Sequence, residues 1–166
     1  EGELPDYTMP RTKNASGYYI APDMDLVDLF IGSDGTLGVL TELELELIPL
    51  PRVSWGVTVF VPDEVAACRY AEAVREQVDC AAAIEYFDPH ALDILRQRKA
   101  QGGVFATLPD LQVAGSGAAV FTELHCGEER EAMAALELLG RLAAQCGGDG
   151  ERSWVARTEP ESETLR

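Results

Sequence analysis

Residues 39–48, VLTELELELI, follow a period of two, with glutamate and leucine alternating strictly from Glu42 to Leu47. Val39, Thr41, Leu43, Leu45 and Leu47 fall on one side, and Leu40, Glu42, Glu44, Glu46 and Ile48 on the other. A period of two predicts a half-buried β-strand. Upstream, residues 1–22 are rich in proline, glycine and small polar residues and read as an irregular approach. Residues 23–31, DMDLVDLFI, predict a short helix with Asp23 as N-cap and Leu26, Leu29 and Phe30 on one face. The stretch GSDGTLG, 32–38, stops that helix and launches the strand. Pro49 and Pro51 interrupt any continuing ladder, so PLPR, 49–52, is the expected domain boundary.

Beyond the prolines the periods change in a legible order. VSWGVTVFV, 53–61, predicts a strand, 63–79 a helix capped by Asp63, and AAIEYF, 82–87, a second strand. A helix over 89–99 begins at Pro89, where a missing N–H costs nothing. Residues 101–117 read as a long connection and AAVFTELH, 118–125, as a third strand. The last helix, 127–146, carries Ala132, Leu136, Leu139 and Ala143 at helical spacing and stops at Gly147 and Gly148. Strand, helix, strand, link, strand, helix is most of a split βαβ, ferredoxin-like α+β arrangement. The expectation is an antiparallel sheet with helices on one face, short of its last strand. The tail 149–166 has no strong period, although an element restarting near Trp154 fits it. The expected domains are thus 1–50, 51–148 and a tail, 149–166.

Composition narrows the partners. Twenty-nine acidic against 13 basic residues give a net charge of −16, a field that repels phosphate backbones and anionic headgroups, so no nucleic acid partner is expected. No apolar run reaches the roughly 18 residues of a transmembrane helix. Cys68, Cys80, Cys126 and Cys146 lack CxxC or zinc-ligand spacing, which points to free thiols, a reducing compartment and a cytoplasmic location. The chain opens without methionine, in mid-phrase, and is expected to be a piece of something longer.

The glycine loop matches neither GxGxxG nor GxxxxGK[ST]. On spacing alone it is a helix stop followed by a turn, whose glycines leave room for an approaching backbone or flat ligand. Ser33 lacks an evident base and is not expected to be a nucleophile. Glu42, Glu44 and Glu46, ~7 Å apart along one face, are expected to meet solvent rather than a metal. His90, at a helix start, and His125, at a strand end, read as structural or surface groups, and Trp55 as core or interface packing.

Two linked motifs add to that reading. KNASGYY, 13–19, followed by DLFIGSDGTLGVLTELELELIPLP, 28–51, resembles the end of the flavin-binding domain in FAD-linked oxidases of the vanillyl-alcohol oxidase type. Within that family it looks most like the branch that holds the flavin-bearing component of glycolate oxidase, D-lactate dehydrogenases and D-2-hydroxyglutarate dehydrogenases. AAAIEYFDPHALDIL, 81–95, AAVFTELHCGEEREAMAALELL, 118–139, and the pair Trp154 and Arg157 resemble, more weakly, the cap domain that follows. The resemblance implies FAD as cofactor, touched by Asp34, Gly35, Thr36, Leu37, Gly38, Val39 and Leu40, mostly through backbone groups. Lys13, Asn14 and Gly17 would line or support the same face.

Asp34 stands where the family has glutamate, one methylene longer, and YIAPDM, 19–24, looks like an insertion. The family's pyrophosphate loop, PGGGT, and its HxGDGNxH segment are absent from the sequence, and neither histidine matches the latter. The implied activity is oxidation of a 2-hydroxy acid such as glycolate, D-lactate or D-2-hydroxyglutarate to the 2-oxo acid, by hydride transfer to flavin. An electron-transfer subunit or acceptor would complete it, with attachment to a membrane only through that partner. No residue here is assigned as the catalytic base. The contrasting expectations are a noncatalytic cap and packing module, or a branch acting on another alcohol.

Overall fold

The computed structural model describes residues 17–108, 117–148, 150–158 and 161. The chain forms two compact units, Glu1–Ile48 and Pro49–Arg166.

In the first unit the short helix is a 3-10 turn, Leu26–Phe30, capped by Asp25 rather than by Asp23. The Asp25 carboxylate accepts from the Val27 N–H at 3.2 Å, and Asp28 reaches back to the Asp25 N–H at 2.8 Å. This reciprocal box shortens the helix because its N3 acid is Asp28, which only a start at Leu26 allows. The strand expected over 39–48 is not formed: these residues belong to no ladder and are exposed throughout. A strand exists only by pairing, and among the described residues of this unit none pairs with it.

The second unit is built on β1 (Val53–Val61), α1 (Glu64–Gln77), β2 (Ala81–Phe87), α2 (Pro89–Gln101), β3 (Ala118–Cys126), α3 (Glu129–Gln145) and β4 (Trp154–Ala156). The helices begin where side chains satisfy their first N–H groups. Asp63 accepts from Ala66 at 2.7 Å and Asp88 from Ala91 at 2.6 Å, the latter just ahead of Pro89. In α3 the N-cap Glu128 makes no such bond, and Glu131 of the first turn instead takes the N–H of Gly127, ahead of the helix, at 2.8 Å. That helix ends with Gly147 in the left-handed region, φ 78°, and the Gly148 N–H on the Ala143 carbonyl at 2.8 Å.

The strands form one antiparallel sheet in the order β2-β3-β1-β4. This is the ferredoxin-like order, and the last strand, expected to be missing, is present. β4 is only three residues long, too short to show a period, and lies within the tail that read as irregular. It pairs with Gly56–Thr58 of β1, while Trp154 packs edge-on to Phe60 with ring centroids 4.7 Å apart. Just beyond, the Arg157 guanidinium lies 4.8 Å from the centre of the Trp55 ring.

Alternation sorts the sheet residues into two faces. Trp55, Val57, Val59 and Val61 of β1 and Val120 and Leu124 of β3 pack with Ala67, Tyr70 and Val74 of α1 and Ala132, Leu139 and Ala143 of α3. The expected single helical face holds for α1 and α3. The added helix α2, inserted between β2 and β3, departs from it. Its Leu92 joins Phe60 and Ala119, residues of opposite parity, with Phe87, Leu95 and Trp154 around them. The residue pattern requires this, since Phe60 and Ala119 would otherwise carry apolar surface out of the core.

Candidate functional site

The glycine loop is a turn with a defined hand. The Thr36 N–H bonds the Ser33 carbonyl at 2.9 Å, and the two residues between have positive φ, 47° at Asp34 and 77° at Gly35. Positive φ at both central positions is the type I′ pattern, for which Asp-Gly is a favoured pair. Asp34 therefore suits this turn better than a longer acid does, because a short polar side chain tolerates the left-handed region. Ahead of it, the Ser33 N–H and Oγ both bond the Phe30 carbonyl, at 3.3 and 2.9 Å. The Ser33 proton is thereby engaged on the backbone, with no base beside it.

Asp34, Gly35, Thr36, Leu37, Gly38, Val39 and Leu40 are all exposed, and Ser33 is the buried member of the loop. Nothing lies within 4 Å of where a Cβ would stand on Gly35 or Gly38. Among the described residues, backbone donation within the stretch 34–40 is confined to Thr36. The N–H groups of Gly35, Leu37, Gly38, Val39 and Leu40 thus have no protein acceptor among the described residues, and water or an acceptor-rich ligand satisfies them equally. Such donors suit carbonyl or phosphate oxygens of a ligand as readily as water. The Thr36 hydroxyl does not offer a proton to such a ligand, because it donates to the Ser33 carbonyl at 2.6 Å.

The other sequence-based candidates are dispersed. Gly17 has φ 75°, and its carbonyl sits 3.3 Å from where a Cβ would be on Gly32, so Gly17 meets the glycine loop there. Lys13 and Asn14 lie outside the described residues. Glu42, Glu44 and Glu46 are exposed, as is His90, while Trp55 is 3% exposed in the core. No cluster of three metal-ligating side chains occurs among the described residues.

Sequence reasoning passed over two arrangements. Tyr18 Oη lies 2.8 Å from Thr36 Oγ1, a link across 18 positions that no spacing rule signals. In the second unit, Glu123 Oε1 takes His125 Nε2 at 2.9 Å and Ser54 Oγ at 3.3 Å. The alternation of β3, placing Glu123 and His125 on one face, was a readable signal for that pair. Its order is wrong for nucleophilic catalysis: the carboxylate, rather than the imidazole, stands next to the serine.

The described cysteines are free. Burial, with a hydrogen bond to Cys80, pushes the Cys126 thiol up to about 12. Two hydroxyls, Tyr70 Oη and Thr122 Oγ1, are buried with no hydrogen-bond partner among the described residues, and burial raises Tyr70 above its ordinary value.

Comparison with known proteins yields partial matches to two kinds of dehydrogenase. The chain is 31% identical over 135 residues to a D-2-hydroxyglutarate dehydrogenase of Xanthomonas citri pv. viticola, covering 81% of this chain and 25% of that protein. It is 33% identical over 91 residues to a D-lactate dehydrogenase of Anaerostipes hadrus, covering 55% of this chain and 15% of that protein. A D-2-hydroxyglutarate dehydrogenase of Stutzerimonas stutzeri is 32% identical over 92 residues, 55% of this chain and 18% of its own length. The chain thus spans a quarter or less of the curated relatives it matches. No known protein-family profile matches it.

Proposed function

We propose that this chain is a segment of an FAD-linked 2-hydroxy acid dehydrogenase, contributing the last part of the flavin-binding domain and the ferredoxin-like start of the cap domain. The observation that carries the reading is the similarity to dehydrogenases of D-lactate and D-2-hydroxyglutarate, which extends over 81% of the chain in one case. Both named substrates are 2-hydroxy acids. The backbone donors of the Asp34–Gly35 turn support it, because flavin presents acceptors along its edge and ribitol chain.

When bound, FAD would supply the acceptor for the α-hydrogen of the substrate. The contribution of this chain is orientation. Backbone N–H groups of Gly35 and of Leu37 to Leu40 would hold the cofactor, and Gly35 and Gly38 would let it approach without a Cβ in the way. Thr36 would serve the turn rather than donate from its hydroxyl. An anionic substrate needs cationic groups, and the net charge of −16 places that requirement on other parts of the protein.

The test is the full-length protein that carries this sequence, purified and scanned for flavin absorbance, then assayed with a dye acceptor on a panel of 2-hydroxy acids. Bound FAD with turnover of D-lactate, glycolate or D-2-hydroxyglutarate is expected. Turnover of an aldonolactone or a phenol instead moves the protein to another branch, and absence of flavin sinks the reading. A second reading concerns the 166-residue chain alone. With half of the flavin site, it acts as a packing module, and stoichiometric FAD on the isolated chain would refute that.

A further inference from the structure

We propose that Tyr18 is a positioning residue for the cofactor loop, holding the Asp34–Gly35 turn through the hydroxyl of Thr36. The inference rests on the FAD reading and deepens it. A threonine hydroxyl has one proton, and that of Thr36 is committed to the Ser33 carbonyl at 2.6 Å. In the 2.8 Å contact between Tyr18 Oη and Thr36 Oγ1, tyrosine must therefore be the donor. The proton order runs from Tyr18 to Thr36 and ends on the Ser33 carbonyl, while Ser33 Oγ separately donates to the Phe30 carbonyl. The Thr36 hydroxyl is thus held from both sides, which ties the turn's shape to the phenol that donates to it.

A second contact makes the arrangement a clamp. The Gly17 carbonyl fits beside Gly32 at the near end of the loop, where a Cβ on Gly32 would come within 3.3 Å of it, while Tyr18 grips the far end at Thr36. Two consecutive residues thus fix both ends of a loop that contains a left-handed non-glycine residue, Asp34. Asp34 tolerates that conformation, and the two contacts narrow the loop to one shape. Tyr18 does not need to touch the cofactor for this role. It keeps the turn that carries the Gly35 and Leu37 N–H groups in one shape before a ligand arrives, which reduces the ordering that binding would otherwise require.

The experiment compares Tyr18→Phe, Thr36→Val, Thr36→Ser and the double variant Tyr18→Phe/Thr36→Val in the full-length protein, reading FAD affinity of the apo form by flavin fluorescence. Tyr18→Phe is expected to weaken FAD by about 2- to 10-fold, the range of one hydrogen bond. Thr36→Ser, which keeps the hydroxyl, should bind as the wild type does. The double variant should match Thr36→Val alone, because the phenol acts only through Thr36. Hydrogen exchange in the same protein should show faster exchange at the Thr36 amide in Tyr18→Phe. Unchanged affinity in Tyr18→Phe overturns the proposal, as does an equal loss with and without the Thr36 hydroxyl, which would make Tyr18 a direct ligand. If the wild-type protein binds no FAD, the functional reading fails first, whereas unaltered exchange at Thr36 refutes the clamp by itself.

Discussion

Residues 39–48 and strand β1 are similar in length and opposite in outcome. The first alternates strictly from Glu42 to Leu47, and it is left unpaired, with Val39 90% and Leu47 84% exposed. The second, VSWGVTVFV, contains a glycine, a serine and a threonine in its body, yet it pairs with β3 along its whole length and with β4 over three residues. From Trp55 to Val61 every residue of β1 is buried, regardless of which face it occupies. Alternation therefore measures how well a segment would serve as a strand. Neighbours on either side, and helices above and below, decide whether it becomes one.

The sharpest way to break this contrast is to truncate an apolar side chain in each region. Leu124→Ala, opposite Trp55 in the sheet and fully buried, is expected to cost about 2–5 kcal/mol. Leu47→Ala should fall within ~0.5 kcal/mol of wild type. Urea unfolding followed by tryptophan fluorescence reads Leu124→Ala, since both tryptophans, Trp55 and Trp154, belong to the second unit, and calorimetry reads Leu47→Ala in the first. A large loss from Leu47→Ala would mean that 39–48 is packed in solution.

Next in size is a glycine pair. A Cβ on Gly117 would collide with the Pro62 carbonyl, and the N–H of Gly117 bonds the Val61 carbonyl at 3.1 Å. Gly117→Ala must push backbone aside where β1 leaves the sheet, at about 1–3 kcal/mol. Gly140, inside α3, faces open space, and Gly140→Ala should stabilise by up to ~1 kcal/mol. Thermal melts of the two variants shifting the same way would contradict this.

Thr122 gives a gain of similar size to that of Gly140. Its hydroxyl is buried without a partner among the described residues, so Thr122→Val is expected to raise stability by about 1 kcal/mol, read from the urea midpoint. A loss would reveal a partner for that hydroxyl in solution.

The smallest effect is confined to alkaline pH. The Cys126 thiol rises from an ordinary 9.0 to about 12 in the fold. A raised value means that the folded state holds the proton more tightly, so its contribution is complete below about pH 9 and is lost as pH climbs toward 12. Cys126→Ala should flatten the fall in melting temperature between pH 9 and about 10.5, leaving a residual slope from Tyr70, also raised by burial. An unchanged slope would show that Cys126 does not carry it.

Much of the second unit was legible because its local signals agree with one another. Asp63 and Asp88 cap the helices that follow them, Pro89 stands where a first turn tolerates it, and Gly147 ends α3. What escaped were relations between distant residues. Three residues cannot display a period, so β4 is defined by Trp154 meeting Phe60 and by its ladder with β1. The side on which α2 packs depends on Phe60 and Ala119, which belong to other strands. In the candidate site, the glycines and Asp34 announced a turn by type alone, since few residues accept positive φ.

By itself, then, the sequence determined the main elements of the second unit, the caps of α1 and α2 and the location of a tight turn, because these follow from backbone sterics and from hydrogen bonds made within a few residues. Tertiary structure alone decided that VLTELELELI would remain unpaired, that a three-residue strand would complete the sheet, and that Tyr18 would reach Thr36. Pairing, burial and proton direction are properties of two segments brought together, and no single segment contains them.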